Sequence, residues 1–161
     1  MSAEKLQHIV SVDVYATAKQ LPADEQTLLQ HATQIMHAAY APYSNFKVGA
    51  AVLLENGKVI TGNNQENAAY PSGMCAERVA IFYAGSQYPD VAIKTIAVTC
   101  EAEAEQPVTP CGACRQAIAE YEQRHNKKIK LIMATPTGKV FSTNGIETLL
   151  PFMFSSKYLK K

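Results

Sequence analysis

The chain has 161 residues, 47% hydrophobic and 18% charged, with a formal net charge of +1. That length suffices for one domain with a real hydrophobic core, and so small a charge excludes the basic footprint of a nucleic-acid or anionic-membrane binder. No apolar run reaches membrane-spanning length, and the MSAEKLQHIV start lacks the apolar stretch of a signal peptide, so the four cysteines are expected reduced and the location cytoplasmic.

Residues 8–15 (HIVSVDVY) alternate, with Val10, Val12 and Val14 on one side, which reads as a short strand. Residues 1–20 are therefore expected to form an N-terminal arm or an added edge strand. Residues 22–40 carry Leu28, Ala32, Ile35, Met36 and Ala39 at helical spacing. Pro22 suits the entry, Asp24 and Glu25 complement the dipole, and Pro42 sets a limit. Lys47–Glu55 is an apolar run suited to a strand covered on both faces. Asn56-Gly57 marks a tight turn, and Lys58–Asn63 returns as a second strand. A helix is expected over Cys75–Gly85 and a third strand over Thr95–Cys100. A further helix over Cys111–Arg124 has Ala113, Ala117, Ile118 and Tyr121 on one face. Ile129–Ala134 is a fourth strand, Thr135–Gly138 a turn, Lys139–Ser142 a short fifth strand and Ile146–Leu150 a last short helix. Strand, helix and strand over 95–134 make a right-handed crossover unit. The expected whole is a single α/β domain over 1–161, three layers α/β/α around a five-stranded mixed sheet.

The chemistry-bearing residues are concentrated in Cys75-Ala76-Glu77 and Pro110-Cys111-Gly112-Ala113-Cys114. Cys111 and Cys114 are one helical turn apart, and Cys75 sits where another helix begins. Three thiolates can hold a zinc ion and leave its fourth position to water. Helix N-termini at the cysteines would stabilise the thiolates. Arg78, three residues past Cys75, is placed to donate hydrogen bonds to the sulfurs and offset their excess negative charge. Glu77, two residues past Cys75, is read as a proton-moving carboxylate rather than a ligand. A closed structural site would need a fourth protein ligand. Cys100 is the obvious candidate, but it ends an apolar strand and reads as a small core residue.

The chain resembles the zinc-dependent cytidine deaminases of the small homotetrameric type. The resemblance spans roughly residues 25–156. It is carried by the Cys-Ala-Glu and Pro-Cys-x-x-Cys motifs, by Ala41-Pro42-Tyr43-Ser44-Asn45-Phe46-Lys47-Val48-Gly49-Ala50-Ala51, by Glu66-Asn67-Ala68-Ala69-Tyr70-Pro71-Ser72-Gly73-Met74, and by Leu149–Phe154. It implies one zinc per subunit on Cys75, Cys111 and Cys114, with Glu77 shuttling protons. The implied reaction is hydrolytic deamination of cytidine and deoxycytidine to uridine and deoxyuridine with release of ammonia, in pyrimidine salvage. By the same resemblance Phe46 packs on the pyrimidine, backbone near Ala76 reads its edge, and Asn64 and Glu66 hold the ribose 3′-hydroxyl. Phe154 would enter a neighbouring subunit's site, near Tyr43 and Tyr70, in a homotetramer. An ionised Glu66 would repel a 3′-phosphate, which favours a free nucleoside over a nucleic-acid strand. The rival readings are a blasticidin-type antibiotic deaminase and a non-catalytic zinc-binding interaction module. The latter gives Glu77 no task.

Overall fold

The computed structural model describes residues 3–159. Its elements in chain order are β1 (Asp13–Tyr15), α1 (Ala23–Met36), β2 (Val48–Leu54), β3 (Val59–Asn63), α2 (Ala76–Gln87), β4 (Ile93–Cys100), α3 (Gly112–His125), β5 (Lys130–Ala134) and β6 (Val140–Asn144). The strands form one mixed sheet in the order β1-β6-β5-β4-β2-β3. Only β4 and β5 run parallel, with Ile96 opposite Leu131 and Val98 opposite Met133. A parallel pair needs a crossover, and α3 supplies it.

Alternation in the central strands builds the three layers. Ala50, Val52, Ile96, Val98, Leu131 and Met133 face α2 and α3, where they meet Ala76, Ala80, Ile81, Ile118 and Ala119. Ala51, Ala97, Ile132 and Ala134 face α1, packing on Leu28, Leu29 and Ala32. Burying one aliphatic side chain on either face contributes about 1.5–3 kcal/mol, and both faces of these strands are buried. The small residues on the α1 side let that helix lie close to the sheet.

The sheet has six strands, where five were expected. The sixth is β1, which pairs antiparallel with β6 through Asp13↔Ser142, Val14↔Phe141 and Tyr15↔Val140. Of the alternating run over 8–15, three residues pair. Helix α1 stops at Met36, short of Ala39. Beyond it the chain is drawn toward 64–66, where Tyr40 N donates to Asn64 O and Glu66 N to Tyr40 O. The expected final helix is a single 3₁₀ turn over Ile146–Thr148.

Helix α3 presents Cys114, Ile118, Ala119 and Glu122 to the interior, with Ala113 exposed. This face is rotated from the expected one because a glutamate is buried. Glu122 Oε1 accepts from Ile129 N (2.8 Å) and Ile146 N (3.0 Å). Those two backbone donors satisfy Oε1 of the buried side chain.

Candidate active site

Two helix starts converge on the site. Cys75 is the N-cap of α2 and Cys111 the N-cap of α3, both with extended backbone. The leading N–H groups of each first turn have no intrahelical partner, which gives both helix starts a partial positive charge. Cys114 follows one turn into α3 and is fully buried. Cys75 Sγ lies 3.8 Å from Cys111 Sγ, and Cys111 Sγ 3.5 Å from Cys114 Sγ. All three sulfurs fall within 4.8 Å of one another.

This donor set fits zinc. Sulfurs bound to one tetrahedral zinc at about 2.3 Å stand about 3.8 Å apart, close to the spacing found. Three soft thiolates suit that metal and leave one position free. Among the described residues no other cluster of cysteine, histidine or carboxylate side chains has this form. Cys100 is not part of the cluster; it is buried, and its thiol donates to Ala102 O at 3.6 Å.

The electrostatics favour one charged sulfur in particular. Cys75 is pulled down to about 5, first by its hydrogen bond with Cys114 and further by Arg78, against the opposing effect of burial. Cys114 is pushed up by the same hydrogen bond and by burial. Arg78 Nη2 donates to Cys75 Sγ at 3.7 Å, and that contact holds the guanidinium charged.

Glu77 sits in the first turn of α2 at 5% exposure. Burial raises its pKa above the ordinary value, and the neighbouring Cys75 charge adds to the rise. A carboxyl so placed holds a proton more readily than an exposed one.

A cleft of about 410 Å³ opens over this cluster. Phe46, Asn64, Glu66, Tyr70, Cys75, Ala76, Glu77, Arg78 and Cys111 all line it. Phe46 is delivered by a turn in which Asn45 takes a left-handed backbone (φ 56°), a conformation asparagine tolerates better than most residues. Asn64 clamps the same loop: its Oδ1 accepts from Val48 N (2.8 Å) and its Nδ2 donates to Phe46 O (2.9 Å). Glu66 accepts from Tyr43 N (2.8 Å), Ser44 N (3.3 Å) and the Ser44 hydroxyl. Those donors, the Ser44 hydroxyl first, hold its carboxyl below the usual range, so it is ionised.

Tyr43 does not line the cleft, but it lies edge-on to Tyr70, which does, with ring centroids 6.4 Å apart. Phe154 does not line the cleft of its own chain. It is 55% exposed and stacks on Tyr158. The sequence reading omitted several lining residues, among them Gln65, Asn67, Met74, Val108 and Thr109. Val108 and Thr109 directly precede the Pro-Cys-x-x-Cys motif, which was the available signal.

Residues 22–129 match the family model described as the cytidine and deoxycytidylate deaminase zinc-binding region. A cytidine deaminase of Sporosarcina psychrophila is 40% identical over 136 residues, covering 84% of this chain and 95% of that protein. One from Halalkalibacterium halodurans is 47% identical over 97 residues, 60% of this chain and 71% of that protein. Among solved structures, cytidine deaminase from Burkholderia pseudomallei is similar with a TM-score of 0.70 and 39% identity, covering 80% of this chain and 97% of that one.

Proposed function

The chain belongs to the cytidine and deoxycytidylate deaminase family, and from that premise we propose that it hydrolyses free cytidine and deoxycytidine to uridine and deoxyuridine, releasing ammonia. The observation that carries this reading is one cleft holding the three-thiol cluster, the buried Glu77 and the Phe46–Asn64–Glu66 wall. Zinc held by Cys75, Cys111 and Cys114 would lower the pKa of a water in its remaining position and supply hydroxide near neutral pH.

The chain's own residues handle protons and position. The water oxygen bonds to C4 of the pyrimidine and the bond from C4 to the exocyclic nitrogen breaks. Glu77 takes a proton from the water and gives one to ring N3. It then carries the remaining hydroxyl proton to the amine, which leaves as ammonia. Its raised pKa suits a group that must both accept and donate. Arg78 offsets the negative charge of the thiolates and keeps Cys75 oriented.

Phe46 packs on the ring face and backbone near Ala76 meets its edge. Asn64 and Glu66 hold the ribose 3′-hydroxyl with the donor and acceptor capacity left after they fix the 43–48 loop. The ionised Glu66 repels a 3′-phosphate, and the +1 net charge offers no channel for a strand. The preferred substrate is therefore a free nucleoside, in pyrimidine salvage and in the cytoplasm.

The exposure of Phe154, Tyr43 and Tyr70 supports a homotetramer in which Phe154 enters a neighbouring subunit's cleft. Light scattering should give four subunits, and dilution that dissociates them should cost activity. A fully active monomer would overturn that part. The reaction itself is tested by the fall in cytidine ultraviolet absorbance with zinc-loaded protein. Turnover of a blasticidin-type nucleoside without turnover of cytidine would favour the antibiotic deaminase instead.

A further inference from the structure

Arg115 follows Cys114 directly and takes no part in the cleft wall. Its guanidinium is nevertheless engaged at three points. Nε donates to Pro110 O at 2.7 Å, Nη1 to Leu149 O at 2.7 Å, and Nη2 to Thr109 Oγ1 at 3.2 Å. Pro110 immediately precedes Cys111, and Thr109 lines the cleft. Leu149 opens the C-terminal segment, and the adjacent Gln116 holds that segment again through Phe154 O at 3.0 Å.

The geometry matters because Cys111 is the exposed member of the cluster, with Cys114 buried and Cys75 half-buried. Cys114 is locked into α3 by helix packing. Cys111 is the N-cap, and the Val108–Pro110 loop leads directly into it. A rigid planar fork with five N–H donors can hold that loop and the C-terminal segment together. A lysine at the same place has one flexible point charge and cannot span the three acceptors.

We propose that Arg115 is a positioning residue: it clamps the Thr109-Pro110 loop so that Cys111 stays in place as a zinc ligand and the cleft wall keeps its shape. The proposal rests on the zinc-dependent deaminase reading above. It acts through Pro110 and Thr109, with no contact of Arg115 to metal or substrate.

The test compares Arg115→Ala, Arg115→Lys and Arg124→Ala with wild type. Arg124 is a matched control on the same helix: its Nη2 donates to Pro89 O at 2.6 Å, at the end of α3 away from the cysteines. Zinc release into excess chromogenic chelator is timed, and kcat and KM for cytidine are measured in parallel. Perturbing a group that orients a ligand typically costs about 10–100-fold in metal affinity or activity. Arg115→Ala should release zinc about 10-fold faster or more and lose kcat, while Arg124→Ala stays within about twofold. Arg115→Lys, which keeps charge and stem, should also release faster, and it decides the matter if the alanine variant does not fold. Wild-type release from both Arg115 variants, or equal acceleration by Arg124→Ala, overturns the proposal. If zinc-loaded wild type leaves cytidine untouched, the functional reading fails, and the release rates still decide the role of Arg115.

Discussion

Gly62→Ala is a sharp test of how the sheet positions the chemistry. A Cβ on Gly62 would lie 2.6 Å from Ala80 N and 2.7 Å from Ala76 O, both backbone atoms of α2. Neither can rotate away as a side-chain tip could. To regain ordinary contact the helix must withdraw from β3 by roughly 1 Å, and a misplacement of that size can cost about 10²-fold in rate. The withdrawal moves the first turn of α2, which carries Cys75 and Glu77, relative to α3, which carries the other two sulfurs. The overpacking itself costs about 1–3 kcal/mol in stability. Gly57→Ala is the control. It strains a turn at φ 81° but meets nothing within 4 Å, so it should lower the melting temperature and leave kcat alone. The assay is kcat for cytidine at saturating substrate, with a thermal melt of each protein. A Gly62→Ala variant with wild-type kcat would refute the argument that this close approach sets the site.

Glu77→Gln should keep its zinc and lose about 10²–10⁴-fold in kcat; loss of zinc with the rate per zinc preserved would contradict the proton-shuttle role. Glu66→Ala should weaken kcat/KM by about 10–100-fold, the worth of a hydrogen bond to a charged group, and unchanged kcat/KM would reject its role. Glu122 is raised above its ordinary 4.5 chiefly by burial. The folded protein thus binds that proton more tightly than the unfolded chain, and the associated stability is full below about 4.5 and lost as pH rises through the folded value. Glu122→Gln keeps an acceptor for Ile129 N and Ile146 N without the charge. Its stability relative to wild type should therefore grow as pH rises above 4.5; denaturant melts at several pH values showing a constant difference would contradict this.

The parts of the fold legible in the sequence are those with strong local signals. Pro22 with Asp24 and Glu25 marked the start of α1, Asn56-Gly57 marked the β2–β3 hairpin, and the unbroken apolar run over Lys47–Glu55 marked a strand covered on both faces. The cysteine spacings located both helix starts at the metal cluster. Local signals failed where a partner distant in sequence decides. Strand β1 takes its partner β6 from more than a hundred residues along the chain, and only Asp13–Tyr15 of the alternating run pair with it. The buried place of Glu122 had no local signal, because its two donors lie beyond the helix, one after a loop and the other past β6. Nothing local to Arg115 signals its clamp, because Leu149, one of its acceptors, is far along the chain. Glu66 and Asn64 were legible as site residues by resemblance, but their service as clamps of the 43–48 loop was not, since those bonds join residues 16 to 23 positions apart.

The central claim is that the three thiols hold a zinc whose cleft acts on cytidine through Glu77. The most direct measurement takes one purified sample, determines zinc per subunit, and follows cytidine absorbance before and after chelation and zinc return. The account predicts one zinc per subunit, deamination of cytidine or deoxycytidine, loss on chelation and recovery with zinc. Stoichiometric zinc with no deamination of either nucleoside would contradict it.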